Sequence, residues 1–358
     1  MPGGTAGWLT AGIIAARHQA RIKAGGFSVT LIESPDIKII GVGEGTWPTM
    51  RSSLERMGVS ETELFKQCDA AFKQGGKFAG WTTGAADDAY YHPLMLPQGF
   101  TQLNLVPHWM REAREQSFCD FVTPQGRLCD AGLAPKMITS PEYRGLANYA
   151  YHLDAGKFAP FLAKHCTEKL GVRHVLANVV QVNQNESGDI QSVLTPEAGE
   201  ISAKLIAEQM PANREVMDIV AKRFNDVTLY RWGRIIDFLK LHYVLTRRTD
   251  TAFWRDNVDP ASVPDRLKEL LTLWKYHSPW FFDEFDRLEE VFPAASYQYV
   301  LYGMGFQTQV GPEDTVDTAP LASQLFKDNE RMKAEMQARL PKNRELLNKI
   351  YEYGLQPV

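Results

Sequence analysis

Two glycine-rich turns and one lysine set among apolar residues are the places where the spacing of residue types could do chemistry. The first turn reads Gly3-Gly4-Thr5-Ala6-Gly7-Trp8 and runs into the apolar stretch 9–16. Glycines without side chains let backbone N–H groups approach a pyrophosphate, and a helix starting there adds the positive end of its dipole. Glu33 closes the β-rich stretch 28–33 (SVTLIE) and is followed by Ser34-Pro35. A carboxylate at such a strand end accepts hydrogen bonds from ribose hydroxyls. A tight strand-to-helix turn and a solvated strand end account for the same residues without a ligand.

The second turn is Gly41-Val42-Gly43-Glu44-Gly45-Thr46-Trp47-Pro48, with three glycines in five residues. Ordering that many glycines costs chain entropy, so the backbone is expected to approach something closely there. Lys77 lies in FKQGGKFAGW, a strand-like stretch in which it faces away from Phe78. A lysine among apolar residues snorkels to solvent unless a pocket holds its amine.

The elements that must position these residues follow from periodicity. Turn, helix, strand and acidic terminus make most of a dinucleotide-binding βαβ unit, although only Met1 and Pro2 stand where its first strand would be. Helices are expected at 50–57 and 60–71, a turn-rich region at 84–108, a helix at 158–170 and a strand at 172–182. From about residue 210 the texture is helical, at 214–225, 229–247, 263–276 and 321–352. The reading is an α/β unit over 1–206 and a mostly α-helical lobe over 207–358.

Composition narrows the partners. At 358 residues, 44% of them hydrophobic, the chain can bury a large core. A formal charge of -4 and a pI near 6.1 leave no basic field for nucleic acid. No apolar run reaches the ~18–20 residues of a membrane span, and no leader is evident, so a cytoplasmic location is expected. The four cysteines are dispersed and read as reduced core thiols. The eight histidines show no ligand spacing, so no metal is expected.

Taken together, the motifs resemble the flavin-dependent halogenases, the tryptophan halogenase-like family. The GGTAGW turn, the strand ending in Glu33-Ser34, GVGEGTWP, FKQGGKFAGW and Tyr90-Tyr91-His92-Pro93 occur in that family's order. The resemblance continues at Tyr151-His152-Leu153-Asp154 and 171–180, and returns in RIIDFLKLHYVLTRR, Thr251-Ala252-Phe253-Trp254 and FPAASYQYVLYGMG at 292–305.

The resemblance implies a Rossmann-like FAD-binding domain of the flavin monooxygenase/halogenase type, whose helical C-terminal lobe contributes to the substrate pocket. Gly3, Gly4, Thr5, Ala6, Gly7 and Trp8 would hold the pyrophosphate, and Glu33 with Ser34 the adenosine ribose. Gly41, Val42, Gly43, Glu44, Gly45 and Thr46 would line the flavin side, and Val179 would touch the adenine end. Lys77 would be the essential lysine. Reduced FAD, oxygen and a halide, chloride or bromide, would give hypohalous acid that reaches this amine. His92, Pro93, Phe292, Tyr297 and Tyr299 would line the pocket of a small aromatic such as indole or tryptophan.

A separate flavin reductase would supply reduced FAD, since no second nucleotide site can be picked out, and a homodimer is a further expectation. The sequence departs from the family near 205–208, where a long internal segment is missing. Its Trp-x-Trp-x-Ile-Pro and Glu-Ser-Thr motifs are absent, and Leu94 stands where an aromatic is expected. A flavin monooxygenase, or a flavin-binding protein without turnover, are the alternatives.

Overall fold

The computed structural model describes residues 4–37, 43–186, 190–202, 214–281 and 291–357. The internal gap expected near 205–208 and the site residues Gly3, Gly41 and Val42 lie outside the described residues.

Helix Gly4–Arg17 follows the first glycine turn, and its small residues let it pack closely on helix Ala155–Leu170. A Cβ on Gly12 would fall 2.2 Å from Met57 Cε and 2.9 Å from Cys166 Sγ. The second helix is delimited by its own sequence. Asp154 caps its start by accepting the Lys157 N–H at 3.0 Å, and Gly171 ends it with φ +72°. Beside this helix pair, strand β1 (Thr30–Glu33) runs parallel to a later strand, Arg173–Leu176, with Glu33 opposite Leu176.

Strand β2 (Glu44–Gly45) and β3 (Ala71–Lys73) flank β6 (Ala150–Leu153) in an antiparallel sheet. Strand β4 (Gly75–Ala79) pairs with β5 (Ala89–Pro93) in a separate hairpin. Continuing along the chain, β7 is Arg173–Leu176, and β8 (Gln181–Gln184), β9 (Ile190–Thr195) and β10 (Gly199–Ser202) form an antiparallel meander.

Several expected elements end differently. The helix expected at 60–71 is Glu61–Gln67, because Asp69 takes a left-handed φ of 47° and turns the chain into β3. The strand expected at 172–182 is two strands, β7 and β8, which belong to different sheets. The helices expected at 214–225 and 229–247 are one, Met217–Val244, since no proline or glycine cap separates them. The helix expected at 321–352 is two, Ala319–Arg339 and Asn343–Tyr353, with Leu340 extended ahead of Pro341. From residue 214 onward the described residues hold no named strand.

Two principal cores each draw on residues from both sides of position 206. Trp8, Leu54, Phe65, Tyr149 and Phe158 pack with Leu346 and Ile350 of the last helix. Tyr90, Trp109 and Phe118 pack with Phe238, Trp274, Tyr297 and Val300. Beneath β6 the Lys136 ammonium and the Glu61 carboxylate form a fully buried pair at 2.9 Å. Glu61 also accepts hydrogen bonds from the Tyr149 and Tyr151 hydroxyls and the Tyr143 N–H, so the buried charge is satisfied.

On the outside, Leu229, Trp232, Ile236 and Leu239 project from Met217–Val244 into solvent at three- and four-residue spacing, one apolar stripe. Cys68, Cys119 and Cys166 are buried, Cys129 is partly so, and all four are free thiols. Burial pushes the Cys68 and Cys166 thiols up to about 12, so they are unreactive. Among the described residues no helix is long and apolar enough to cross a membrane, and no His/Cys/Asp/Glu group could hold a metal ion.

Candidate functional site

The first glycine turn, the end of β1 and the loop after β7 meet at one end of the parallel strand pair. The Gly4 N–H donates to Glu33 Oε1 at 2.8 Å, and Glu33 Oε2 lies 3.1 Å from His174 Nε2. Gly4 takes φ +81°, a conformation that a residue with a Cβ rarely adopts. Trp8 is buried with its ring edge-on to His174 at 4.9 Å, and Thr5, Ala6 and Gly7 form the helix's first turn beside it. The Ser34 hydroxyl donates to Asn178, next to Val179, whose side chain is largely exposed. Gly4 to Trp8 and Glu33 thus meet at a helix N-terminus, with Ser34 next along the chain bonded to Asn178.

The second turn enters at Gly43. Glu44 and Gly45 form β2, Gly43 to Gly45 are exposed, and Thr46 is buried with its N–H donating to the Tyr151 carbonyl at 2.8 Å. One cation stands over this backbone. Lys73 Nζ donates to the Thr46 carbonyl at 3.0 Å and lies 4.9 Å from the centre of the Trp47 ring. A Cβ on Gly45 would come within 3.3 Å of that nitrogen and 3.6 Å of His152 Nδ1, so the glycine leaves the amine its place. Burial lowers the Lys73 pKa from the ordinary lysine value, bringing the neutral, nucleophilic amine within easier reach.

Trp47 connects this amine to an aromatic cluster. Its ring is 5.9 Å from His92 and 6.0 Å from Phe292. Phe292 stacks on Phe238 at 3.9 Å, and His92 contacts Phe238, His242 and Tyr299. Burial, with the neighbouring His242 and Lys73 as lesser causes, pushes His92 down to about 3, so it is a neutral ring at physiological pH. Pro93 is buried at the end of β5 opposite Gly75, where a Cβ would meet the His92 carbonyl at 2.6 Å. Tyr299 is buried and donates its hydroxyl to the Met95 carbonyl at 2.9 Å. Tyr297 lies deeper, fully buried between Phe238 and Trp274, and serves packing.

Lys77 is placed elsewhere. As expected it faces away from Phe78, but that face is solvent. Its side chain is 50% exposed, and its amine pairs with Asp130 at 3.0 Å over the Tyr91 ring. The Asp130 and Tyr91 contacts raise its pKa and keep it a spent cation. The Lys77 amine thus faces solvent, and the amine beside the glycine loop is Lys73, four residues earlier. Both lysines occur in FKQGGKFAGW, and Gln74-Gly75 break that stretch into β3 and β4, which join different sheets. The sequence held no signal to separate them, since Phe72 stands beside Lys73 as Phe78 stands beside Lys77.

The sequence profile of the tryptophan halogenase family matches residues 1–208 and 200–319 of this chain. The chain is 31% identical to tryptophan 7-halogenase RebH of Lentzea aerocolonigenes over 222 residues, covering 58% of this chain and 40% of that protein. It is 30% identical to tryptophan 6-halogenase SttH of Streptomyces toxytricini over 227 residues, covering 58% and 42%. The chain thus spans about two fifths of the length of these curated relatives. Among solved structures, a tryptophan halogenase from Shewanella frigidimarina superposes with a TM-score of 0.92 at 32% identity, covering 100% of this chain and 98% of the other. Tar14, a tryptophan C-6 flavin-dependent halogenase from taromycin biosynthesis, superposes at 0.85 with 20% identity over 98% of each chain, a likeness of fold. That fold is a Rossmann-type flavin domain with a mostly helical lobe.

Proposed function

Because this chain belongs to the tryptophan halogenase family, we propose that it uses reduced FAD, oxygen and chloride or bromide to halogenate an electron-rich aromatic of the indole class at the amine of Lys73. The observation that carries this reading is the position of Lys73 Nζ, against the Thr46 carbonyl on one side and the Trp47 ring on the other.

The residues present suit a bound FAD. Gly4 to Trp8 offer a helix N-terminus to its pyrophosphate, and Glu33 is held at the strand end by the Gly4 N–H with lone pairs left for a ribose. Gly43 to Gly45 are exposed. When bound and reduced, the flavin supplies the electrons that convert oxygen and halide to hypohalous acid.

The chain's own residues then do the rest. The Lys73 amine binds hypohalous acid by hydrogen bonding and fixes the halogen beside the Trp47–His92–Phe292 rings. The aromatic substrate's carbon attacks the halogen as the oxygen–halogen bond breaks, the lysine ammonium protonates the departing hydroxide to water, and the amine so formed takes up the proton that the halogenated ring carbon loses. Neutral His92 packs against the substrate without adding charge to the pocket. A separate flavin reductase supplies the cofactor in its reduced form.

The test is incubation of the purified protein with reduced FAD, oxygen, indole and bromide, followed by mass spectrometry. A monobrominated product with the bromine isotope doublet supports the reading. Hydroxylated indole without halogen would make the protein a monooxygenase, and flavin binding without any product would leave it a binding protein.

A further inference from the structure

We propose that helix Met217–Val244 is the seam of a two-fold symmetric homodimer, in which it lies antiparallel against the same helix of a second copy of this chain. The inference stands independently of the halogenation reading.

This helix is apolar on two opposite sides. Phe238 and Leu241 face inward and belong to the core that holds Trp274 and Tyr297. On the far side Leu229, Trp232, Ile236 and Leu239 are 70%, 59%, 55% and 54% exposed. With Asn225 before them and Tyr243 after them, these positions follow one another at intervals of four, three, four, three and four. A repeat averaging 3.5 residues keeps one line of side chains facing a neighbouring helix, as in a coiled-coil seam. A helix that packs only on its own core needs one such line, and this helix has two. None of the six positions is charged, and beside them Lys222 and Asp226 neutralise each other at 2.7 Å.

The symmetry of the line identifies its occupant. The intervals are the same from either end, with their centre at residue 234. A second copy turned end for end about that centre sets Leu229 against Leu239, Trp232 against Ile236 and Asn225 against Tyr243, each contact made twice. That is the self-complementary condition of a two-fold interface. An unrelated partner imposes no such condition on the spacing.

Gly233, next to the centre, is an independent observation. It lies in the middle of a 28-residue helix, where glycine is less stable than alanine. A Cβ added to it would meet nothing within 4 Å, whereas one on Gly12 would strike Met57 and Cys166. The chain's own packing therefore does not call for glycine at 233. A second helix crossing there does, because a missing side chain lets another backbone come close.

The area is sufficient for such a pair. Beyond Tyr243 the apolar line continues to exposed Phe253, edge-on to the tyrosine at 5.8 Å. The exposed side chains from Leu229 to Phe253 offer roughly 600 Å² per copy, or about 1,200 Å² for two, the lower bound for a specific interface.

The experiment is sedimentation equilibrium of the full chain, loaded from about 0.1 to about 50 µM. The unaltered protein should pass from the 40.4 kDa of one chain to twice that mass and no further. Trp232→Asp should weaken association at least about 100-fold while the circular dichroism spectrum stays that of the unaltered protein. Gly233→Gln should weaken association at least about tenfold, with the melting temperature of the dilute protein unchanged or raised, because glutamine favours the helix. Tyr353→Asp, at an exposed aromatic on the last helix, should dimerise as before. The proposal is overturned by a single-chain mass throughout, by association that continues past two copies, by either variant of helix Met217–Val244 associating as the unaltered protein does, or by an equal loss in Tyr353→Asp.

Discussion

Lys73 Nζ donates a 3.0 Å hydrogen bond to the carbonyl oxygen of Thr46 in the second glycine turn. That bond ties a reactive amine to the backbone proposed to face the flavin. Lys73→Arg should keep the fold and lose bromination by at least about 100-fold, because a guanidinium stays protonated and cannot act as an amine. Lys77→Ala should retain bromination within about twofold, since it removes only an exposed ion pair with Asp130. Product yield by mass spectrometry checks both. Loss in Lys77→Ala with retention in Lys73→Arg would return the role to Lys77.

His92 makes stability depend on acid. Its folded pKa is depressed to about 3 from the ordinary histidine value of 6.5, so the unfolded chain takes up a proton first as pH falls. The contribution of neutral, buried His92 is complete above pH ~6.5 and is lost as pH drops through the window toward ~3. Between pH 7 and pH 5 the loss amounts to about 2 kcal/mol. His92→Phe should therefore flatten the acid limb of urea-unfolding free energy by that amount. An acid limb equal to that of the unaltered protein would show that His92 is protonated without penalty.

Removing one partner of the Glu61–Lys136 pair should be severe. Lys136→Met leaves the Glu61 charge buried with only neutral donors, at a cost of about 3–5 kcal/mol in unfolding free energy. Adding Glu61→Gln should recover part of that loss, because the uncompensated charge is gone. The pair also bears on the site, for Tyr151 donates to Glu61 while its backbone holds Thr46. Additive losses in the double variant would mean that the two groups are not coupled.

How much of this was legible in the sequence varies with range. The glycine turn, β1 and the Ala155–Leu170 helix were readable because caps and periodicity are local, as Asp154 and Gly171 show. The resemblance named His92 and Phe292 for one pocket but not Trp47, whose ring comes beside both only through the fold. The choice between Lys73 and Lys77 was not readable, since both alternate with a phenylalanine and only pairing to β6 or β5 separates them. Nor could the Glu61–Lys136 pair be foreseen, because its members are 75 positions apart and each alone reads as a solvated charge.

Gly12 should resist substitution although it lies in the middle of a helix, where alanine is ordinarily the better residue by about 0.5–1 kcal/mol. The reason is contact across helices. A Cβ there would sit 2.2 Å from Met57 Cε, 3.2 Å from Met57 Sδ and 2.9 Å from Cys166 Sγ. The methionine methyl can swing aside, but the buried thiol is fixed on helix Ala155–Leu170. Overpacking of about 1–3 kcal/mol should therefore exceed the gain in helix propensity, and Gly12→Ala should lower the melting temperature by several degrees. Combining it with Cys166→Ala should cost less than the sum of the two single changes, because the smaller side chain makes room for the added methyl. A melting temperature at or above that of the unaltered protein would show that the two helices are free to separate by the width of a methyl group.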